Sequence, residues 1–381
     1  VRFFTGRNCS FEIRKLKLLK IKECSMCQPA AFVVDFKEKV MSEPASFAVT
    51  KANGDYIAYW SENSDSHEVI KKENGLDKID IPNVRGEARL IPCEITPPKN
   101  DFRLPLDQWI FTSDISPEWA DMTEVEKVCR KVLPDWLAAN VILPKQKYDT
   151  TNKYYAAICG TINYVSGGTI NYVSGGTINE VSGGTINKVY GGTIDYVSGG
   201  TIDYVSGGTI NEVSGGTINK VSGGTINEVY SGTINYVYGG TINYVYSGTI
   251  DKVSGGTINY VSGGTINEVS GGTINYVYGG TINYVYSGTI DEVYSGTINY
   301  VYGGTINYVY SGTIDEVSGG TINKVYGGTI DYVSGDFPKK ITGHTTIVNY
   351  GSLTPDILKS SKAVMIDRSK DTVVCYVGKD E

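Results

Sequence analysis

Residues 161–176 read TINYVSGGTINYVSGG, one eight-residue phrase repeated without change. From Thr161 to Gly335 the chain keeps this period as Thr-Ile-(Asn/Asp)-x-Val-(Ser/Tyr)-(Gly/Ser)-Gly, with 22 threonines in register between Thr161 and Thr329. A fixed internal period decides the architecture before any local pattern does. Thr, Ile and Val are β-branched and suit a pleated surface, and the Gly-Gly or Ser-Gly step supplies the permissive backbone of a corner. One octad alone would bury one Ile and one Val, about 1.5–3 kcal/mol each, against about 1–2 kcal/mol of backbone entropy for every residue fixed. It cannot fold by itself. Stacked octads share inter-coil hydrogen bonds and a continuous Ile/Val column, so the sequence predicts a β-solenoid, a parallel β-helix. The array contains no Pro, as expected where each coil donates to the next.

Strict alternation from an inward Ile162 would also turn position 164 inward, yet that slot holds Glu180, Lys188 or Glu212 in other copies. Charges do not stack in an apolar core. The chain must bend near the Asn/Asp-x step, where Asn and Asp tolerate turns, so that Val165 returns to the core and residue 164 faces water. A coil could hold two octads or three. Lys188, Lys220 and Lys252 recur at four-octad spacing, which suits an even number, whereas Glu268, Glu292 and Glu316 recur at three. The lysine spacing predicts two octads per coil, a rod of roughly 50 Å at ~4.8 Å per rung.

The flanks differ in composition. All 4 Trp, 9 Phe, 12 Pro, 7 Cys and both His lie outside the array, and 22 of 29 Tyr lie inside it. The expected organisation is an α+β globular capping domain at 1–158, the octapeptide-repeat β-solenoid at 159–335, and a short β-rich C-terminal cap with degenerate coils at 336–381. In the first domain, strands are expected at Ala31–Phe36, Ser46–Thr50, Tyr56–Ser61, Ala88–Ile95 and Gln108–Thr112. A helix is expected from Pro117 through Val132, started by the Thr123-x-x-Glu126 capping pattern, interrupted at Pro134 and resumed over Trp136–Val141. Trp60, Trp109, Trp119 and Trp136 read as core residues. The C-terminal piece offers strands around Thr345–Val348 and Thr372–Val377.

The array carries 4 Lys against 6 Glu and 6 Asp, a net -8, and the rest of the chain +1, so the acidity of the chain's net -7 belongs to the array. It has no Arg, which makes direct nucleic-acid binding unexpected. No apolar run is long enough to span a membrane, the opening residues carry no secretory pattern and none is expected, and an odd cysteine count favours reduced thiols and a cytoplasmic setting. Cys24 and Cys27 have the spacing of half a zinc site, with Cys9 and His67 the other ligands in view. No phosphate loop, nucleophile elbow, metal motif or dinucleotide fingerprint is present. The expectation is therefore a non-enzymatic protein without a cofactor.

Stacking in register turns each outward slot into a ladder. Ile234, Val237, Ile242 and Val245 are the expected core. The candidate binding surface is Thr233, Asn235, Tyr236, Tyr238, Thr241, Asn243, Tyr244, Tyr246, Tyr276, Tyr284, Tyr300 and Tyr308. Asn ladders and stacked aromatics stabilise any cross-β column, but Tyr joins an apolar ring to a polar tip and is favoured at interfaces. The functional expectation is a rigid spacer or a surface for a protein partner, with the oligomeric state left open.

Three other readings are kept. The layout resembles bacterial ice-nucleation proteins, with an N-terminal domain, tandem octad pairs and a small C-terminal piece. That likeness implies an ice-binding or ice-nucleating surface, although their Thr-x-Thr signature is absent. As a narrow acidic rod the array is similar to pentapeptide-repeat solenoids, which implies DNA mimicry. Tyr rings beside Asn and Asp would suit carbohydrate.

Overall fold

The computed structural model describes residues 45–79, 89–151, 153–333, 340–349, 355–358, 363–368 and 373–378. From Thr161 onward the octads form parallel rungs in which each threonine pairs with the one 16 residues later, as Thr185 with Thr201 and Thr193 with Thr209. Two octads therefore make one coil, as the lysine spacing suggested. Octads beginning at Thr161, Thr177, Thr193 and so on stack as one sheet, here the first face. Those beginning at Thr169, Thr185, Thr201 and so on stack as the second face.

The core follows from the two inward slots of each octad. Ile162 and Val165 lie three residues apart and both are buried. A straight strand cannot bury both, so the chain bends between them as the charged x residues required. Every Ile and Val of the array is at most 1% exposed, and they belong to one apolar cluster that continues to Met365. At the corners the eighth residue is glycine for a geometric reason. Gly216 has φ 72°, and a Cβ there would lie 2.7 Å from the carbonyl oxygen of Gly200 on the coil before. Corner bonds such as Thr201 N–H to Gly184 O at 3.0 Å carry the ladder round the turn.

The parallel ladder begins ahead of the octads. Val141–Ile142 pairs with Ala157–Ile158, Lys147–Thr151 with Thr161–Val165, and Tyr154–Ile158 with Thr169–Val173, at offsets that are not all 16. At the other end Thr345–Asn349 pairs with Ala363–Asp367, which then takes the antiparallel strand Val374–Val377. This reversal ends the parallel stack.

The N-terminal part is an antiparallel sheet in the order β2-β1-β3-β4, with β1 Ser46–Ala52, β2 Asp55–Tyr59, β3 Ile91–Thr96 and β4 Ile110–Ser113. Helix α1 spans His67–Glu73 and α2 spans Met122–Asn140. Two expectations need correction. The helix does not break at Pro134: α2 runs through it, because Val125, Cys129, Leu133 and Trp136 are all buried on one side and their packing outweighs one missing backbone donor. Its cap is Asp121, whose carboxylate accepts the Thr123 amide at 3.0 Å, rather than Thr123 itself. Trp109 and Trp136 are fully buried; Trp60 and Trp119 are partly buried against the same cluster. The expected strand at Ala31–Phe36 lies outside the described residues.

Trp109, Trp136, Ala156, Ala157, Cys159 and Tyr172 share one apolar cluster. The α+β part thus packs directly on the first coils.

Candidate functional site

Sorting octads by coil separates outward residues that look equivalent in the sequence. On the first face the x column reads Tyr164, Glu180, Tyr196, Glu212, Glu228, Tyr244, Tyr260, Tyr276, Glu292, Tyr308, Lys324. The slot after Val is Ser on this face up to Ser214 and is Tyr at 230, 246, 278, 294, 310 and 326.

These two columns merge into one aromatic network. Along the coil axis Tyr230–Tyr246, Tyr244–Tyr260, Tyr260–Tyr276, Tyr278–Tyr294, Tyr294–Tyr310 and Tyr310–Tyr326 stack with centroids 4.7–5.1 Å apart and ring planes within 14°. Across the columns Tyr244–Tyr246, Tyr276–Tyr278 and Tyr308–Tyr310 join them at 5.8–6.2 Å. Ten tyrosines are connected without a gap. The spacing matches the rung repeat of ~4.8 Å, so each ring turns its faces toward its neighbours and its edge and hydroxyl outward. Two carboxylates anchor hydroxyls: Tyr294 donates to Glu292 at 2.5 Å, and Glu228 pushes the Tyr230 phenol up to about 12 through a hydrogen bond.

The second face is different. Its x column starts Tyr172, Lys188, Tyr204, Lys220, Tyr236, Lys252, Glu268. Lys220 sits 5.1 Å from the ring centroids of both Tyr204 and Tyr238, a cation–π arrangement, and Lys252 bridges to Glu268 at 2.5 Å. Stacked tyrosines occur here in islands. Tyr284, Tyr286, Tyr300 and Tyr302 form the largest, with Tyr172–Tyr190 and Tyr236–Tyr238 apart from it.

Beneath both faces runs a polarised amide ladder. Each Asn Nδ2 donates to the Oδ1 of the residue one coil earlier, as Asn243 to Asn227 at 2.9 Å and Asn227 to Asn211 at 2.8 Å. An ionised Asp accepts in this ladder but cannot donate, so a run starts afresh at four of them: Asp195 accepts from Asn211, Asp203 from Asn219, Asp251 from Asn267 and Asp291 from Asn307. The first run of each face also ends on Asp. On the first face it is the exposed Asp149, which accepts from Asn163 at 2.9 Å. On the second it is Asp65 of the N-terminal part, buried, accepting from Asn171 at 3.3 Å and from the Tyr154 hydroxyl. Burial pushes the Asp65 carboxyl up to about 6, only partly offset by its hydrogen bond from Tyr154, whose own phenol is raised by the same burial.

The candidate residues chosen from sequence divide between the faces. Thr241, Asn243, Tyr244, Tyr246, Tyr276 and Tyr308 lie on the first; Thr233, Asn235, Tyr236, Tyr238, Tyr284 and Tyr300 lie on the second. Tyr230, Tyr260, Tyr278, Tyr294, Tyr310 and Tyr326 complete the first-face network and were missed. Reading every second octad would have found them. Ile234, Val237, Ile242 and Val245 are buried as expected.

Cys24 and Cys27 lie outside the described residues. Among the described residues no group of three potential metal ligands occurs, and His67 places Nε2 3.3 Å from the Cys93 carbonyl. Cys93, Cys129 and Cys159 are buried free thiols, and Cys375 is exposed. No described helix is long and apolar enough to cross a membrane. A shallow hollow lined by Trp60, Ser61, Asn63 and Glu73 lies on the N-terminal part, where Glu73 accepts from Ser61 at 2.5 Å and Asn63 at 2.9 Å. Neither family models, curated proteins nor solved structures give a match to this chain.

Proposed function

We propose that this protein is a non-enzymatic rigid scaffold that binds protein through the tyrosine-rich half of its first face. The observation that carries the reading is the uninterrupted ten-tyrosine network from Tyr230 to Tyr326. Ring edges and hydroxyls turned outward suit the mixed apolar and hydrogen-bonding contacts of protein interfaces. Carbohydrate recognition by stacking would draw on ring faces, and here those are turned to neighbouring rings. The rod supplies rigidity because backbone bonds lock coil to coil and Asn side-chain bonds reinforce them within each run. Buried free thiols at Cys93, Cys129 and Cys159 suit a reducing, cytoplasmic compartment.

The test compares three tagged full-length proteins as baits in nuclease-treated source lysate. One is unchanged, one has the ten network tyrosines replaced by Ser, and one has the second-face tyrosines Tyr236, Tyr238, Tyr284, Tyr286, Tyr300 and Tyr302 replaced. Proteins held by the first and third baits but released by the second are the expected result. If the first two baits retain the same proteins, the binding face is not here, and a plain spacer or a water-ordering surface becomes the better reading.

A further inference from the structure

We infer that a second copy of this chain is a partner of the first face, packed antiparallel, with a two-fold axis running along the strand that carries Tyr276 and Tyr278. This deepens the protein-binding reading above and rests on it.

The column itself is the argument. Tyr276 pairs with Tyr260 on one side and Glu292 on the other, and the stack continues through Tyr244 to Glu228 and through Tyr308 to Lys324. Glu228 therefore lies three coils before Tyr276, and Lys324 lies three coils after it. One coil farther out, Glu212 pairs with Glu228 and Lys340 pairs with Lys324 in register. Each end of the tyrosine network is thus flanked by a like-charged pair along the stack, acidic before it and basic after it.

Within one chain Glu212 and Glu228 are like charges on adjacent rungs. In a two-fold dimer about Tyr276 opposite charges meet: Glu228 faces Lys324 of the partner subunit, and this contact occurs twice. The rungs between are matched too. Tyr244 meets Tyr308, Tyr260 meets Glu292, and the column after Val sets Tyr230 against Tyr326, Tyr246 against Tyr310, and the small Ser262 against Tyr294. A two-fold along the strand keeps each column over its own kind, and both copies share one rung spacing. A parallel two-fold with the coils level would bring Glu228 and Glu212 against their own kind and lose the match.

The area is sufficient. Five of the ten tyrosines are 37–45% exposed, and with about 150–250 Å² per ring the network offers roughly 600–900 Å² per copy, near the ~800 Å² each partner gives to a standard interface. A self-complementary patch of this kind closes as a dimer and leaves no open end.

Sedimentation equilibrium of the full chain tests it, with K324E, E228K, the double variant E228K/K324E, and K220E on the second face. The expected result is a dimer that each first-face reversal weakens by roughly tenfold or more through like-charge contact. The double variant restores it, and K220E leaves it unchanged. Circular dichroism of each variant keeps loss of association separate from loss of fold. A wild-type monomer at about 100 µM, well above the Kd of an ordinary interface of this size, overturns the inference. So does a dimer indifferent to the first-face reversals, or a double variant no better than the single ones. A monomeric wild type would leave the capture experiment above to decide whether the face binds another protein, so the two ideas fail separately.

Discussion

The two faces of the solenoid are written in the same octad, share one core and carry the same Thr and Asn/Asp columns, yet only the first presents a continuous tyrosine surface. The second spaces Tyr with Lys in its early coils and gathers Tyr284, Tyr286, Tyr300 and Tyr302 in an island of four. Inward slots are fixed by packing, because any change there is felt by both faces; outward slots are fixed only by what touches them. The unlike patterns on this shared scaffold lie in the x column and in the slot after Val, the two slots that the proposed contact surface uses.

The comparison can be broken hardest at what the faces share. Ile242→Asp puts an unpaired carboxylate into the common Ile/Val column and is expected to cost about 4 kcal/mol or more, read as a collapse of the thermal transition or as insoluble protein. An unchanged melting curve would refute the inward assignment. Next comes the sorting of octads by coil. Removing residues 249–264 deletes one whole coil and keeps each downstream octad on its face. Removing only 257–264 moves every later octad to the opposite face while leaving each core slot filled. Both deletions are expected to melt within a few degrees of the parent, but only the eight-residue deletion should abolish first-face association, since it splits the tyrosine network in two.

The amide ladders give a smaller, pH-dependent contrast. Asp65 begins the second-face ladder from a buried site with its carboxyl raised to about 6 from an ordinary 3.8, whereas the first face starts from exposed Asp149. A raised carboxyl favours the protonated form in the folded state. Its contribution is therefore fully present below pH about 4 and is lost as pH rises through about 6, by up to ~3 kcal/mol at ~1.4 kcal/mol per unit. Asp65→Asn should remove that loss, so the variant gains on the parent between pH 4 and 7 in denaturant titrations. An equal pH slope in both proteins would contradict the assignment. The smallest effect belongs to the surface: Tyr244→Ser removes one ring from a stack and should shift stability by about 1 kcal/mol or less, with its weight felt in association.

The solenoid was legible because each octad repeats the same instruction: two β-branched inward residues three apart, a bend-tolerant Asn or Asp between them, and glycine at the corner. The even coil was legible in Lys188, Lys220 and Lys252, which all fall on one face. The division of the tyrosines was present but hidden, because Tyr236 and Tyr244 are one octad apart in the chain and on opposite faces in the fold. The coils ahead of Thr161 escaped notice since their offsets depart from 16; the inward pair Tyr155 and Ile158 before Gly160 was the available signal. The role of Asp65 was not legible at all, because its ladder partner Asn171 is 106 residues away. Pro134 misled because local propensity is silent about the buried row Val125, Cys129, Leu133 and Trp136 that holds the helix together.

The central claim is that one face of two is the contact surface. Hydroxyl-radical footprinting of the full chain, at a concentration where it associates and again after dilution below that point, tests it tyrosine by tyrosine. The account predicts that association protects Tyr230, Tyr244, Tyr246, Tyr276 and Tyr278 and leaves Tyr236, Tyr238, Tyr286 and Tyr302 oxidised at an unchanged rate. Equal protection of both sets, or protection confined to the second, would contradict it.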